Sequence, residues 1–290
     1  MVKLFVSDMD GTLLNEEHVV SERNAKAIKA LQQAGIEFVI ATGRAYNSAR
    51  PMLDAHKINC KMINLNGAAV YNLDGDIETK IPLEIDTVKE MLNYLEETKT
   101  AYSVMTDKYF YVGDKEAFVN RVKGMLRKLE IEKYTNIETD DAYSSDAQFI
   151  HELAYIKDMS EFSYTDDTTA LKFMIFGEPS DSKLPNFLKT FEGYEDLDIT
   201  SSGPDNLEVT HSKAQKGFAV AEYAASRGIA MEDVATIGDS LNDRSMLQMA
   251  GHSYAMDNAS PEVKEMAKFI APSHREDGVA VVIEEILNQL

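Results

Sequence analysis

The sequence predicts an α/β protein whose core is a parallel β-sheet, with an α+β domain inserted into that core. Three observations lead to this prediction. Short apolar runs at residues 4–6, 36–41 and 61–65 alternate with amphipathic helical segments, as parallel strands joined by helical crossovers do. From about residue 82 the pattern changes to pairs of strands separated by helices. Near residue 206 the parallel pattern returns.

The first part of the chain has well-marked helix ends. Ser21 is a candidate N-cap, Ala25, Ile28 and Leu31 recur at helical spacing, and Gly35 suits the position after the C-cap. This pattern predicts one amphipathic helix between the first two strands. The other elements predicted here are a helix at 45–55 and a hairpin of strands 69–71 and 77–79 that turns at Asp74-Gly75.

The middle of the chain, residues 82–205, is predicted to be an inserted α+β domain with a largely antiparallel sheet. The polar stretch from 131 to about 167 contains tyrosines and receives no assignment. A strand-like segment at 207–209 lies just past the end of this domain. Its other predicted elements are helices at 85–97, 116–129 and 182–191, and strands at 102–105, 109–112, 170–176 and 198–201.

The last part of the chain rejoins the core, which therefore comprises residues 1–81 and 206–290. Ser260 followed by Pro261 is typical of a helix start. The remaining predicted elements are helices at 214–226 and 277–287, a helix after Asp243, and strands at 234–238 and 253–256.

The composition limits the classes of function. The chain of 290 residues has 29 Lys and Arg against 49 Asp and Glu, a formal net charge of -20. Such a charge repels phosphate backbones, so nucleic-acid binding is not expected, and a site for a small anion would need a cation or a local basic group. The sequence has no membrane-length apolar segment and one cysteine, so we expect a cytoplasmic protein. The oligomeric state is not predicted.

Two aspartates end the first predicted strand. Asp8 and Asp10 are one residue apart and are followed by Gly11, which lets the chain turn away. Ligands bind just past the carboxyl ends of strands in open α/β sheets. The same pattern could also be an ordinary strand end and turn, because Asp and Gly are common turn residues.

Further polar groups follow the other parallel segments. Thr42 follows the second strand, Lys216 stands near a helix start, and Asp239 and Asp243 follow the strand at 234–238. The carboxyl ends of parallel strands share one edge of the sheet, so these side chains can converge there. Lys213 is close to Lys216, and either lysine could also be an ordinary solvated residue at a helix start.

The combination suits phosphoryl transfer. A carboxylate such as Asp8 can attack phosphorus and form an aspartyl-phosphate. Asp10 can protonate the leaving oxygen and later take a proton from water. Asp239 and Asp243 supply the hard oxygen ligands that Mg²⁺ prefers, and Thr42 and Lys216 can bind the phosphoryl oxygens.

With these motifs the sequence resembles the haloacid dehalogenase superfamily, and its insertion resembles the large α/β cap of the Cof-type branch. The resemblance covers the whole chain, although it is weak within residues 82–205. The motifs that carry it are, in order, Asp8-Met9-Asp10-Gly11-Thr12-Leu13-Leu14, Thr42-Gly43-Arg44, Lys216-Gly217, Gly238-Asp239-Ser240-Leu241-Asn242-Asp243 and the C-terminal Glu276-Asp277-Gly278-Val279-Ala280.

The resemblance implies a Rossmann-like core and a set of roles. Asp8 would be the nucleophile and Asp10 the acid and base. Mg²⁺ would be held by Asp8, the carbonyl of Asp10 and Asp239, with Asp243 holding a water on the metal or orienting the site. The phosphate-binding residues would be Thr42, Gly43, Lys216 and Asn242, and the candidate substrate contacts are Arg44 and Asn258, with Asn66 and Gly67 at the edge of the site.

Three functions are compatible with these residues. The favoured one is a Mg²⁺-dependent phosphatase of small phosphomonoesters, such as sugar phosphates. A phosphomutase would use the same phospho-aspartate to return phosphate to a sugar. A phospho-acceptor module of receiver type also uses a strand-end Asp, Mg²⁺ and Lys, but it gives Asp10 no task. The physiological substrate is not predicted.

Overall fold

The computed structural model describes residues 1–116, 155–165, 168–177 and 180–290, whose strands form two sheets. The predicted helix at 116–129 and most of the unassigned stretch fall outside these residues. The first sheet contains β1 (Leu4–Ser7), β2 (Glu37–Ala41), β3 (Lys61–Asn64), β4 (Ala69–Tyr71), β5 (Ile77–Lys80), β12 (Val234–Gly238), β13 (His252–Met256) and β14 (Phe269–Ala271). The second contains β6 (Ala101–Met105), β7 (Phe110–Val112), β8 (Ile156–Asp158), β9 (Lys172–Phe176), β10 (Leu197–Thr200) and β11 (Asn206–His211). The described α-helices are α1 (Glu22–Gln33), α2 (Tyr46–Asp54), α3 (Ile85–Glu97), α4 (Lys183–Phe191), α5 (Lys216–Ser226), α6 (Arg244–Met249), α7 (Pro261–Met266) and α8 (Gly278–Leu287).

The first sheet has the order β14-β13-β12-β1-β2-β3-β4-β5. The strands from β14 to β3 pair in parallel, while β4 and β5 add the expected antiparallel hairpin. The α/β class and the parallel core are therefore confirmed. Strand β14 has no predicted counterpart, and its Phe269 and Ile270 are exposed at the end of the sheet.

Strand β1 lies near the centre of the sheet and is covered on both faces. Phe5 packs in the cluster that contains Ile28 of α1 and Ile283 of α8. Leu4 belongs to the opposite cluster, with Val220 of α5. Burial on both faces explains why this strand is a continuous apolar run and why its carboxyl end is fixed in position.

The predicted helix caps are present. The Ser21 side chain accepts the backbone N–H of Asn24 at 3.1 Å, and Gly35 follows α1 with φ 83°. Ser260 caps α7 in the same way, with Pro261 as the first helical residue. These caps set where each helix begins or ends on the faces of the first sheet.

The second sheet has the order β10-β11-β9-β6-β7-β8 and is antiparallel except for the pair β7–β8. Strand β11 pairs with β9 and β10, so residues 206–211 belong to this sheet and not to the first one. The expected boundary between 205 and 206 therefore cuts the second sheet before its strand β11. The division into two domains stays a prediction. The point at which the chain returns from the second sheet to the first lies after His211.

Helices α5 and α6 pack so closely that one position requires glycine. A Cβ on Gly217 would lie 2.4 Å from the backbone carbonyl carbon of Ser245. We expect Gly217→Ala to destabilise the fold by about 2 kcal/mol, because helix backbones must move apart. Thermal unfolding should show a melting temperature about 4–8 °C lower.

The matched control is Gly193→Ala, where a Cβ would meet no atom within 4 Å among the described residues. Its stability should change by no more than about 0.5 kcal/mol. Equal melting temperatures for the two variants would contradict the close approach of α5 and α6.

Candidate active site

The predicted motif residues stand at one edge of the first sheet. Asp8 follows β1, Thr42 follows β2, Asn66 follows β3 and Asp239 follows β12. These four strands are parallel neighbours, so their carboxyl ends lie together. The sheet topology therefore brings together residues that are up to 231 positions apart in sequence.

A buried lysine joins two of the carboxylates. Lys216 Nζ lies 2.7 Å from Asp8 Oδ1 and 2.7 Å from Asp243 Oδ1. Burial alone would lower the pKa of this ammonium, but the charges of Asp243 and Asp8 raise it above its ordinary value. Lys216 is therefore charged, and of Lys213 and Lys216 it is the one inside the site. Lys213 bonds through its backbone N–H to His211.

Asp243 also braces the loop that follows β12. Its Oδ2 accepts the backbone N–H groups of Asp239 at 2.9 Å and Ser240 at 3.0 Å. One carboxylate thus holds both the loop and the ammonium of Lys216. This arrangement needs an aspartate four residues after Asp239, as the motif has it.

Asp8, Asp239 and Asp243 form an acidic cluster whose ligand atoms lie within 4.8 Å of one another. Burial raises the pKa of Asp8 well above its usual range, against the opposing charge of Lys216. Burial and the charge of Asp243 raise the pKa of Asp239 to about 7. One ammonium does not balance three carboxylates, so a hard divalent cation fits this donor set.

Gly11 lets the first loop pass close to this cluster. It has φ 72°, and a Cβ there would lie 2.5 Å from Asp239 Oδ2. Its neighbour Thr12 donates its hydroxyl to Asp239 Oδ1 at 2.8 Å. The glycine in the motif is therefore required both by its backbone conformation and by the space available.

Asp10 lies apart from the acidic cluster and pairs with Arg44. Its two carboxylate oxygens accept from Arg44 Nε at 2.6 Å and Nη2 at 2.7 Å. Burial opposes ionisation of Asp10, but hydrogen bonds from Arg44 and His18 bring its pKa below the usual range. Asp10 is an ionised carboxylate here, and Arg44 bonds both to it and, through Nη1, to Ser48 Oγ at 3.2 Å.

The turn after β2 is held by its own threonine. Thr42 is fully buried, and its Oγ1 accepts the N–H of Arg44 at 3.1 Å. Gly43 faces Asn66 and Asn242, whose side-chain atoms would lie 3.0 and 3.5 Å from a Cβ on that residue. Of the expected phosphate-binding residues, Thr42, Gly43 and Asn242 therefore lie close together, beside the expected edge residue Asn66.

Asn242 and Asn258 have contacts that differ from their expected roles. The Asn242 amide nitrogen donates to Asn66 Oδ1 and Glu208 Oε2, both at 3.3 Å. A contact from this nitrogen to phosphate would require the amide to leave those partners. The Asn258 side chain donates to the Gly11 carbonyl at 2.8 Å and accepts the His274 N–H at 3.1 Å. Asn258 thus braces the first loop.

Two charged residues of the second sheet were not predicted for the site. Lys172 is 1 % exposed and donates to the Gly43 carbonyl at 3.0 Å, and Glu208 is 3 % exposed and accepts from Asn66 at 2.7 Å. Their signal in the sequence is a charged residue inside an apolar run, Ala170-Leu171-Lys172-Phe173 and Leu207-Glu208-Val209. Such a residue needs a buried partner.

The fold and site together define an α/β protein with an acidic, lysine-bridged centre at the edge of a parallel sheet. The family model of the haloacid dehalogenase-like hydrolases matches residues 5–283. The chain belongs to this family, and the expected resemblance is confirmed. No described helix has the length and apolar character that crossing a bilayer would take.

Relatives and solved structures agree with this assignment. The chain is 31% identical to the phosphatase YwpJ of Bacillus subtilis, covering 99% of this chain and 100% of the relative. It is 30% identical to the 5-amino-6-(5-phospho-D-ribitylamino)uracil phosphatase YwtE of the same species, covering 99% of each. A haloacid dehalogenase-like hydrolase from B. subtilis superposes with a TM-score of 0.84 at 29% identity, covering 98% of this chain and 100% of that one. The expected enzyme class, a phosphatase of this family, is confirmed.

Proposed function

We propose that this chain is a Mg²⁺-dependent phosphatase that hydrolyses small phosphomonoesters through an aspartyl-phosphate on Asp8. The observation that carries the proposal is the position of Asp8, which lies buried at the end of β1 with Lys216 at 2.7 Å. The ammonium keeps one oxygen of Asp8 oriented. It also offsets negative charge where a phosphoryl group would enter.

The two half-reactions assign work to both aspartates of the first motif. An Asp8 oxygen forms a bond to phosphorus as the bond between phosphorus and the ester oxygen breaks. The departing ester oxygen needs a proton. Water then attacks the phosphorus, Asp8 is released, and phosphate leaves. Asp10 is the proposed donor in the first step and the proposed acceptor in the second.

Asp10 is ionised, as a proton acceptor in the second step must be. Both of its oxygens bond Arg44, so these bonds must loosen before it takes a proton from water. To donate a proton in the first step, Asp10 must first take one up and loosen its bonds to Arg44. The expected contact of Arg44 with substrate would follow from the same release.

A divalent cation is part of this proposal. Asp8 and Asp239 would hold it, with the backbone carbonyl of Asp10 as a further proposed ligand. Asp243, whose oxygens bond Lys216 and the loop after β12, would hold a water on the cation or orient the site. When bound, Mg²⁺ would neutralise phosphoryl charge as it does in other phosphoryl-transfer enzymes. The net charge of -20 makes such neutralisation necessary for an anionic substrate.

The pKa of Asp239, raised to about 7, makes cation binding depend on pH. At pH 6 most of this carboxyl is protonated in the metal-free protein, and the proton must leave before an oxygen can bind Mg²⁺. We expect Mg²⁺ affinity to be about tenfold weaker at pH 6 than at pH 8. Calorimetry in buffers of different ionisation enthalpy should also detect proton release at pH 6.

The same titration at pH 8 and pH 9 is the control, because Asp239 is then ionised throughout. Affinity there should change little. An affinity that is equal at pH 6 and pH 8 would contradict the role given to Asp239.

The substrate class is tested with a panel of phosphate esters. It includes an aryl phosphate, sugar phosphates, pyridoxal phosphate and flavin mononucleotide. It also includes 5-amino-6-(5-phospho-D-ribitylamino)uracil, the compound in the name of one relative. Release of inorganic phosphate that stops on chelation of Mg²⁺ supports the proposal. An isomerised sugar phosphate would identify a mutase, and a long-lived phosphoprotein without released phosphate a phospho-acceptor module.

The cytoplasmic location, and the role of residues 82–205 as a cap that selects the substrate, stay predictions. The second sheet reaches the site through Lys172 and Glu208, which supports such a role for this part of the chain. Closure of a cap would exclude water until the leaving group departs.

A further inference from the structure

Lys172 and Glu208 form a buried ion pair within the second sheet, at the place where this sheet meets the site. Lys172 Nζ lies 3.0 Å from Glu208 Oε2, and both side chains are almost fully buried. Burial alone would raise the pKa of Glu208, but Lys172 and the hydrogen bonds lower it to about 2. Glu208 is therefore ionised although it is buried.

Each member of the pair bonds to the first sheet's loops. Lys172 donates to the backbone carbonyl of Gly43, next to Thr42 and Arg44. Glu208 accepts from Asn66 at 2.7 Å and from Asn242 at 3.3 Å. Three loops, which follow β2, β3 and β12, thus meet at one pair of charges from the second sheet.

These loops hold reactive groups, and the pair bonds to residues adjacent to them in sequence. Asn242 is adjacent to Asp243, whose oxygen bonds Lys216. Gly43 is adjacent to Arg44, which holds Asp10. The pair can therefore act on both halves of the proposed chemistry only by fixing the positions of the loops.

The location of the pair within one sheet sets the energetics. Lys172 is on β9 and Glu208 is on β11, and these strands are neighbours. If the two sheets separated, the two charges would stay together, and the pair would lose its hydrogen bonds to Gly43, Asn66 and Asn242. Separating a buried ion pair costs several kcal/mol of free energy. Because both charges lie in one sheet, docking and undocking of that sheet avoid this cost.

We propose that the Lys172–Glu208 pair is a positioning element through which the docked second sheet sets the loops that carry Arg44 and Asp243. This inference rests on the proposed phosphatase function for its kinetic test alone. The site loops reach their working arrangement when the second sheet is seated, and relax when it lifts. Glu208 acts through Asn242, and Lys172 acts through Gly43.

The kinetic test is a double-mutant cycle with Glu208→Gln and Asn242→Ala. An aryl phosphate is the substrate, because its leaving group does not depend on specific contacts. We expect Glu208→Gln to lower kcat about 10- to 100-fold with KM changed less than about threefold. In the Asn242→Ala background the same change should lower kcat no more than about threefold, because the path through Asn242 is already broken.

Fully multiplicative losses in the cycle would overturn the proposal, since Glu208 would then act independently of Asn242. A KM that rises with unchanged kcat would overturn it too. Arg23→Met is the control, because it breaks another ion pair, Arg23–Glu284, which joins helices α1 and α8 and does not connect the two sheets. Its kcat should stay within about threefold of the wild type.

A second variant covers the case in which Glu208→Gln does not fold. Lys172→Met with Glu208→Met removes both charges and leaves no buried charge unpaired. We expect this variant to fold and to show the same loss of kcat. A folded double variant with wild-type kcat would overturn the proposal.

Amide hydrogen exchange tests the pair without any turnover. In the substrate-free protein, the backbone amides of residues 42–45 and 240–243 should exchange at least about tenfold faster in the Lys172→Met/Glu208→Met variant than in the wild type. Unchanged exchange there would overturn the positioning role. If the wild type hydrolysed no phosphate ester while exchange still rose, the proposed function would fail and the positioning role would stand.

Discussion

Replacing Asp8 with Asn is expected to lower phosphate ester hydrolysis by at least about 10⁴-fold, because a carboxamide cannot attack phosphorus. The substitution keeps the size of the side chain. It also leaves Lys216 paired with Asp243 at 2.7 Å, so the ammonium is not stranded. The fold should survive, and metal-free Asp8→Asn should be at least as stable as the wild type, because burial already disfavours the Asp8 carboxylate.

Kinetics on the aryl phosphate and thermal unfolding check this result together. Asp233→Asn is the matched control, because it makes the same chemical change at a surface aspartate that pairs with Lys3. The control should keep wild-type kcat. Metal-dependent turnover by Asp8→Asn within about tenfold of the wild type would rule out Asp8 as the nucleophile.

Asp10→Asn has the second-largest expected effect, a loss of kcat of about 10²- to 10⁴-fold, because both proton transfers depend on this carboxylate. Mg²⁺ affinity should stay near that of the wild type. The reason is geometric: the Asp10 side chain bonds Arg44 and stands outside the acidic cluster of Asp8, Asp239 and Asp243.

Asp239→Asn distinguishes a proposed cation-binding aspartate from Asp10, the proposed proton-transfer aspartate. The chemical change is the same, but the residue belongs to the acidic cluster, so Mg²⁺ binding measured by calorimetry should weaken strongly. If Mg²⁺ affinity collapsed in Asp10→Asn as well, the division of labour between side chains would be incorrect.

The parallel core could be predicted because its signals are local. Buried strands such as β1 are continuous apolar runs, and Ser21 and Ser260 mark helix starts by their side-chain chemistry. Parallel strands place their carboxyl ends at one edge, so the meeting of Asp8 and Asp239 follows from the order of elements alone.

Side-chain partners across loops could not be predicted in this way. The sequence shows an aspartate at position 10 and an arginine at 44, but their bidentate contact depends on two loop conformations. Asn258 is similar, because its contact with Gly11 spans 247 residues. The position of β11 in the second sheet is also non-local, since it depends on pairing with β9.

The Lys172–Glu208 pair shows how a weak sequence signal, a charged residue within an apolar run, is explained by the structure. The ammonium of a lysine within an apolar strand could reach solvent or form a buried ion pair. Only the adjacency of β9 and β11 gives Lys172 its partner Glu208, and only the loops of the first sheet give both of them a task.

The most direct test of the central claim is to trap the phosphoryl group during turnover. Asp10→Asn is mixed with ³²P-labelled ester and Mg²⁺, quenched in acid within the first turnover, and digested for peptide mapping. We expect acid-stable, base-labile label on the peptide that contains Asp8, and no label when Asp8→Asn is added to the same chain. Label on another residue, or phosphate release in a burst with no labelled protein at any time, would contradict it.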